Sequence, residues 1–199
     1  MFVSLLLAAG ASRRFGGNKL LVPLPDGRPL ALAAAEPFLA LGVPVLAVVR
    51  PGDDPVAELL SGLPGIRVSV CPTAEQGLGH SLAWGVAQTP TADGWLVGLA
   101  DMPWLCAEDA RAVLEALDAG ASLAAPIHAG RRGHPVAFSA RWRQVLLALE
   151  GDQGGQVILG AHPAELTLVP CAHPGVVRDV DRPADLFPEA AKARKSGGG

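Results

Sequence analysis

The segment spanning residues 7–19 is the first candidate for chemistry in this chain. An apolar run that begins at Phe2 leads into a turn with three glycines and three cations, Arg13, Arg14 and Lys19. Glycine tolerates backbone angles that aim N–H groups at an anion, and guanidinium and ammonium groups bind phosphate oxygens. The segment has neither the P-loop spacing nor the dinucleotide-binding glycine fingerprint. The pattern favours a phosphate-binding loop, and an ordinary solvated loop stays the alternative.

A carboxylate follows a second apolar run. Asp101 comes directly after residues 95–100 and precedes Met102 and Pro103. Magnesium at phosphate-transfer sites is typically held by one or two carboxylates, with substrate oxygens and water as the other ligands. Asp101 is therefore a candidate metal ligand at the end of a buried strand. Its alternative role is to cap the helix that we predict from Ala107.

Two further carboxylates lie near the end of the sequence. We predict a strand at residues 176–180 and expect Asp179 and Asp181 to point to opposite faces, so that only one of them faces the site. We choose Asp181 as the second metal ligand. A cap for a short helix that begins at Pro183 is the alternative for Asp181.

Apolar stretches of strand length alternate with helix-length stretches along the first two thirds of the chain. This alternation predicts a single three-layer α/β/α domain of the Rossmann-like type, with helices on both faces of a mainly parallel sheet. Strands are predicted at 2–7, 45–49, 67–71, 95–99 and 123–126, and helices at 30–41, 81–88 and 107–119. Ligands of open parallel sheets bind beyond the carboxyl ends of the strands. The glycine-rich segment and Asp101 should therefore meet there.

The pattern changes after residue 126. Residues 129–133 form a predicted turn between two short strands, which indicates a hairpin and one antiparallel strand. A helix at 141–149, a loop at 151–155, a short helix at 156–159 and strands at 166–169 and 176–180 follow. We expect the domain to span residues 1–189 and the remainder, 190–199, to be a flexible tail.

Composition argues against several classes of protein. The chain has 199 residues, of which 50% are hydrophobic and 18% are charged, which suits one domain with a sizeable core. Its net charge of -3 argues against a general affinity for nucleic acid or anionic membranes. The apolar N-terminus lacks the basic flank of a signal peptide and is too short to span a bilayer. Three widely spaced cysteines suggest neither a disulfide framework nor a zinc site, and we expect a cytoplasmic protein.

Six short motifs of the sequence occur in the order typical of one family. They are Leu-Ala-Ala-Gly and Ser-x-Arg-x-Gly-x-x-Lys within 7–19, Leu-Ala-Asp-Met-Pro at 99–103, Arg-Gly-His-Pro-Val at 132–136, Gly-Asp-Gln-Gly-Gly at 151–155 and Asp-Val-Asp-Arg-Pro-Ala-Asp-Leu at 179–186. Together they resemble the MobA-like nucleotidyltransferases, and within them the molybdenum cofactor cytidylyltransferase (MocA-like) branch. The resemblance extends over about residues 5–186.

The resemblance implies roles for individual residues. It implies that Mg²⁺ is held by Asp101 and Asp181, and that His134 and Asp152 contact the acceptor. A surface position for the histidine and plain turn chemistry for the aspartate are the alternatives. The implied catalytic residues are Arg14, Lys19 and Asp101. The implied nucleotide-binding residues are Leu7, Ala8, Ala9, Gly10, Ser12, Arg14, Lys19, Gly77 and Ser81.

Three positions bear on the choice of nucleobase. Cys71 stands where the family usually has Asn, and Ala74 where Trp is frequent. Both precede residues 77–82, the stretch that reaches the base and ribose in the family. Ala9 occupies a position where guanylyl-transferring relatives more often have Gly, and it favours a pyrimidine nucleotide.

The implied reaction is transfer of a nucleoside monophosphate, foremost CMP from CTP, to a phosphorylated acceptor, foremost molybdopterin, with release of pyrophosphate. The expected partners are the nucleoside triphosphate, the acceptor and a molybdoenzyme, and neither nucleic acid nor a membrane. Two alternatives stay open. One is transfer to a sugar or alcohol phosphate, and the other is a non-catalytic nucleotide-binding or cofactor-delivery protein.

Overall fold

The structure is a computed structural model that describes residues 1–10 and 15–187. Its sheet is built from strands β1 (Phe2–Leu7), β2 (Val45–Val49), β3 (Ile66–Val70), β4 (Gly94–Leu99), β5 (Leu123–His128), β6 (Arg131–Arg132), β7 (Val136–Ser139) and β8 (Leu166–Pro170). The strand order is β3-β2-β1-β4-β7-β5-β6, and β8 also pairs with β5. Strands β1 to β4 are parallel to one another, as are β5 and β8. Strand β7 is antiparallel to both of its neighbours, and β6 forms a short hairpin with β5.

Helices cover both faces of this sheet. They are α1 (Leu30–Leu39), α2 (Asp54–Ser61), α3 (Leu78–Ala87), α4 (Ala107–Asp118), α5 (Arg143–Leu147) and α6 (Gln156–Ala161). Strand β2 contributes Val45, Ala47 and Val49 to the core beneath α1, α2 and α4, and Leu46 and Val48 to the core beneath α3, α5 and α6. Each such buried Val or Leu contributes about 1.5–3 kcal/mol. The predicted three-layer α/β/α domain with a mainly parallel sheet and a hairpin is confirmed.

Three local predictions differ from the structure. The predicted strand at 176–180 is wrong, because the chain there forms a 3-10 helix, Pro174–Val177, and then an unpaired stretch. Val176 and Val180 are nevertheless fully buried, and a short apolar run indicates burial without distinguishing strand from turn. Helix α2 was not predicted. The helix expected at 141–149 is divided into a 3-10 turn, Ala140–Trp142, followed by α5.

Within the two described ranges, no helix is both long and apolar enough to cross a membrane. The predicted tail, 190–199, lies outside the described residues, so the expected domain boundary at 189 stays a prediction.

Candidate active site

A cavity of about 500 Å³ opens at the carboxyl ends of the central strands β1 and β4. Its volume is typical of small-molecule sites, which measure about 300–1,000 Å³. Leu7 and Leu99, the last residues of these strands, form part of its wall. The other lining residues are Ala8, Ala9, Gly10, Lys19, Leu20, Arg50, Ala74, Glu75, Gln76, Gly77, Leu78, Ser81, Asp101, Asp152 and Asp181. The end of β1, Lys19 and the mid-chain Asp101 therefore meet at one cavity.

The floor of the cavity is the backbone that follows β1. The N–H of Ala8 donates to the carbonyl of Val48 at 2.8 Å, and the N–H of Ala100 donates to that of Leu7 at 3.0 Å. These bonds hold the chain between its two neighbouring strands as it leaves the sheet. Gly10 is exposed, and a Cβ added there would meet no atom of the described residues within 4 Å.

Lys19 is a buried cation, with only 7% of its surface exposed. Its Nζ donates to Oδ2 of Asp101 at 2.8 Å and to the carbonyl oxygen of Val180 at 2.7 Å. The same Nζ lies 3.7 Å from Oδ1 of Asp181. The ammonium therefore joins three parts of the chain that are far apart in sequence, and it reaches the acidic side of the cavity directly.

Local interactions fix the turn that carries Lys19. Asn18 caps a 3-10 turn, Lys19–Leu21, by accepting the N–H of Leu20 at 3.3 Å. Its Nδ2 also donates to Oδ1 of Asp53 at 2.6 Å, and Oδ2 of Asp53 lies 3.4 Å from Nε of Arg50. Asp53 directly precedes α2, so the turn is anchored to the start of a helix that sequence reasoning missed.

Three carboxylates converge beside this lysine. Asp101, Asp179 and Asp181 each offer an oxygen, and these oxygens lie within 4.8 Å of one another. Oδ1 of Asp101 is buried and has no hydrogen-bond partner in the part of the chain that the structure describes. An unpaired buried carboxylate oxygen is costly, and hard divalent cations prefer oxygen ligands. Three carboxylates and one ammonium carry a formal charge of −2, so the residues present fit one divalent ion.

Of the two late carboxylates, Asp181 lines the cavity and Asp179 is not among the described lining residues, but the reason for expecting them on opposite faces is wrong. Asp179 and Asp181 both approach Asp101. Their segment is not a strand, and residues two apart on a strand would in any case share a face. The capping alternatives are also wrong. The N-cap of α4 is Cys106, and the 3-10 helix Pro183–Leu186 is capped at Arg182.

A tight backbone contact forms another part of the cavity wall. Gly77 has a φ of +127°, and a Cβ there would lie 2.2 Å from the carbonyl of Gly151. The N–H of Gly79 donates to that same carbonyl at 2.8 Å. The loop at 151–155 is thus docked on the first turn of α3, which places Asp152 and Ser81 in the cavity wall. The N-terminus of α3 therefore lies in the cavity wall, where the helix dipole favours an anion, although the N–H of Gly79 is already bonded to Gly151.

The histidine predicted to contact the acceptor does not line the cavity. His134 is half-buried, and its backbone N–H donates to the carbonyl of Val176 at 2.8 Å. Burial lowers the pKa of the imidazole to about 4, although the charge of Asp179 acts in the opposite direction. The side chain is therefore neutral at neutral pH and lies next to the carboxylate cluster. Its predicted role in binding the acceptor stays a prediction.

Two predicted site residues, Ser12 and Arg14, lie outside the described residues, and their roles stay predictions. Of the three base-selecting candidates, Ala9 and Ala74 line the cavity. Cys71 is fully buried, and its Sγ contacts the hydroxyl of Thr73 at 3.7 Å.

Sequence reasoning missed Arg50, Glu75 and Gln76, which also line the cavity. Arg50 directly follows β2, so the rule that ligands bind at carboxyl ends of strands could have found it.

A mainly parallel sheet with a buried lysine, converging carboxylates and a helix N-terminus at its carboxyl edge defines a nucleotide-handling α/β enzyme. Residues 4–166 match the model of the MobA-like NTP transferase domain, and the chain belongs to this family of nucleotidyltransferases. The predicted family is confirmed.

Two relatives are 31% identical to this chain. One, from Paenarthrobacter nicotinovorans, is called nicotine blue oxidoreductase, and the match covers 191 residues, 92% of this chain and 93% of the relative. The other is the purine catabolism protein PucB of Bacillus subtilis, matched over 166 residues, 79% of this chain and 80% of the relative.

Solved structures agree with the family. Rv0371c from Mycobacterium tuberculosis superposes with a TM-score of 0.79 at 27% identity, over 92% of this chain and 94% of that one. A second structure of Rv0371c, a complex with manganese, has a TM-score of 0.75 at 25% identity, over 92% of this chain and 95% of that one. A relative of this fold therefore binds a divalent ion.

Proposed function

We propose that this nucleotidyltransferase transfers CMP from CTP to the phosphate of molybdopterin and releases pyrophosphate, in the cytoplasm and with Mg²⁺. The observation that carries the proposal is the meeting of Lys19, Asp101 and Asp181 in one cavity of nucleotide size. The choice of CTP and molybdopterin rests on the resemblance of residues 132–136 and 151–155 to the cytidylyltransferase branch. A molybdoenzyme that receives the dinucleotide is the proposed protein partner.

The reaction needs alignment of two anions and no protein nucleophile. An oxygen of the acceptor phosphate attacks the α-phosphorus of the triphosphate. The bond from that phosphorus to the bridging oxygen of the β-phosphate breaks, and pyrophosphate leaves with the electron pair. Because charge builds on phosphoryl oxygens during this exchange, positioning and charge neutralisation account for the catalysis.

Among the described residues, the proposed polyphosphate site has Lys19, Arg50 and the N-terminus of helix α3 in its wall. Lys19 is held by the carboxylate of Asp101 and the carbonyl of Val180, so its ammonium has little freedom to move. Helix α3 begins directly after Gly77 in the wall of the same cavity, and its dipole favours an anion there. Groups fixed in this way need little reorganisation when charge develops, and loss of one such contact typically costs about 3 kcal/mol, or about a hundredfold in rate.

The divalent ion would be held by Asp101, Asp179 and Asp181. When bound, it neutralises charge on the phosphate oxygens and fixes their orientation. Oδ1 of Asp101, which has no other partner among the described residues, supports this assignment.

Pyrophosphate release tests the proposal. The full chain is incubated with Mg²⁺ and each of CTP, GTP, ATP and UTP, with and without molybdopterin. We expect release to be fastest with CTP and to depend on the acceptor. Asp101→Asn should lower the rate by about a hundredfold. The matched control is Asp26→Asn, because Asp26 pairs with Arg28 at the surface, where such pairs contribute about 0–1 kcal/mol.

Other outcomes would replace the proposal. Release that requires a sugar or alcohol phosphate would assign a different acceptor, and tight CTP binding without pyrophosphate would indicate a delivery protein. Because one relative is called an oxidoreductase, a parallel incubation contains a reduced nicotinamide cofactor. Oxidation of that cofactor without pyrophosphate release would contradict nucleotidyl transfer.

A further inference from the structure

A second cluster of potential ligands lies outside the residues that line the nucleotide cavity. Sγ of Cys106 is 3.1 Å from Oδ2 of Asp109 and 3.2 Å from Nδ1 of His173. Nδ1 of His173 is in turn 3.1 Å from that same carboxylate oxygen. One sulfur, one oxygen and one nitrogen thus form a nearly equilateral triangle.

Two packed segments supply these three side chains. Cys106 is the N-cap of α4 and Asp109 lies in its first turn, whereas His173 precedes the 3-10 helix Pro174–Val177. A Cβ on Gly175 would lie 1.8 Å from the carbonyl oxygen of Trp104, so the two backbones touch. The triangle is therefore set by a close backbone contact and not by chance proximity of flexible side chains.

The contacts do not form a nucleophilic triad. In such a triad the histidine uses one ring nitrogen for the nucleophile and the other for the carboxylate. Here Cys106 and Asp109 both meet the same atom, Nδ1 of His173. A sulfur, an oxygen and a nitrogen atom at these mutual distances instead suit coordination of one metal ion.

We propose that Cys106, Asp109 and His173 bind one zinc ion, with water as the fourth ligand. Zinc bonds of about 2.0–2.3 Å separate tetrahedral ligand atoms by about 3.3–3.6 Å, so the triangle needs to open by only a few tenths of an ångström. Sulfur and imidazole ligands select zinc over Mg²⁺, which prefers oxygen. Asp109 is buried, while the side chain of His173 is 57% exposed and provides the entry path.

The bound ion would tie together the two segments that carry the catalytic carboxylates. Asp101 lies five residues before Cys106, and Asp179 lies six residues after His173. Zinc at the second cluster would therefore stabilise the contact between the segments that carry Asp101 and Asp179. It is independent of which nucleotide or acceptor the enzyme uses.

Cobalt substitution tests the site. Chelator-treated full-length protein is titrated with Co²⁺ in excess Mg²⁺, which occupies the carboxylate cluster, and zinc is then added as a competitor. We expect one equivalent of Co²⁺ to give thiolate charge-transfer and tetrahedral d–d absorption, both displaced by zinc. Cys106→Ser should remove the charge-transfer band. His173→Ala should weaken zinc binding by at least about a hundredfold, because even outer-shell partners are worth 10–100-fold.

The control is Cys71→Ser, which alters a buried thiol that belongs to neither cluster and should keep the full signal. Melting temperature is read with and without zinc, and only proteins that retain all three ligands should gain stability. If His173→Ala and the wild type have the same melting temperature in the absence of zinc, the variant is folded, and its weaker zinc binding reports the loss of a ligand. Absence of a thiolate band in the wild type, or equal zinc affinity in His173→Ala, would overturn the proposal.

Discussion

Replacing Lys19 by methionine separates its two effects on the active site. The substitution removes the ammonium between Asp101 and Asp181 and keeps an apolar side chain of similar length. Removing one partner of a buried ion pair typically costs about 3–5 kcal/mol. Because the side chains of Asp101 and Asp181 are 23% and 46% exposed, water screens part of the remaining charge. We expect a loss of about 2–3 kcal/mol in the free energy of unfolding without metal.

The same substitution should strengthen metal binding. The ammonium lies 2.8 Å from Oδ2 of Asp101 and repels any cation that shares this carboxylate. Charges of +1 and +2 about 4 Å apart repel each other by about 2 kcal/mol even at the dielectric constant of water. We therefore expect Mn²⁺ to bind at least about tenfold more tightly to Lys19→Met. Turnover should nevertheless fall by about a hundredfold, because the fixed cation that faces the polyphosphate is gone.

Calorimetric titration with Mn²⁺, urea unfolding and pyrophosphate release measure the three quantities on one preparation. Arg28→Met is the matched control, because it removes a surface cation that pairs with Asp26 and Glu36. Unchanged or weaker Mn²⁺ binding in Lys19→Met would refute the reasoning, since it would mean that the lysine and the ion do not share the carboxylate.

Three further predictions concern residues in the cavity wall or next to the carboxylate cluster. Asp179→Asn should weaken Mn²⁺ binding by at least about tenfold in calorimetry, because the carboxylate of Asp179 lies close to those of Asp101 and Asp181. Unchanged affinity would mean that Asp181 is the one late carboxylate that holds the ion. Gly77→Ala should lower the free energy of unfolding in urea by more than about 2 kcal/mol, because the added Cβ would collide with the backbone of Gly151. Gly120→Ala should cost less, because Gly120 also has a positive φ but a Cβ there would meet no atom of the described residues within 4 Å. The pKa of His134 is lowered to about 4 in the fold against about 6.5 unfolded, so stability should be complete above pH 6.5 and fall by on the order of 2 kcal/mol towards pH 4. His134→Gln should flatten that slope in unfolding curves recorded across this pH range.

The sequence was sufficient to predict which site residues lie at the carboxyl ends of the strands. Strands β1 and β2 have the predicted bounds, and β4 begins one residue early, because each is a continuous apolar run. Their parallel order brings the segment after Leu7 and the residue after Ala100 to one edge. The meeting of Lys19 with Asp101 follows from this arrangement.

Contacts that do not follow from the order of the strands could not be predicted. Residues 176–180 look like a strand in sequence, but tertiary packing buries their valines without a ladder. Because the buried valines do not define a strand, the apolar pattern did not predict the direction of the Asp179 side chain. The cluster of Cys106, Asp109 and His173 likewise depends on a contact between two loops, and its spacing in the sequence matches no zinc motif.

The fate of the α-phosphorus tests the central claim most directly. CTP labelled at that atom is incubated with Mg²⁺, molybdopterin and either the wild-type chain or Asp101→Asn. The account predicts that the label enters a molybdopterin–cytosine dinucleotide while unlabelled pyrophosphate is released, and that Asp101→Asn forms this product about a hundredfold more slowly. Label that stays in CTP with the wild-type chain, or an equal rate of dinucleotide formation in both proteins, would contradict it.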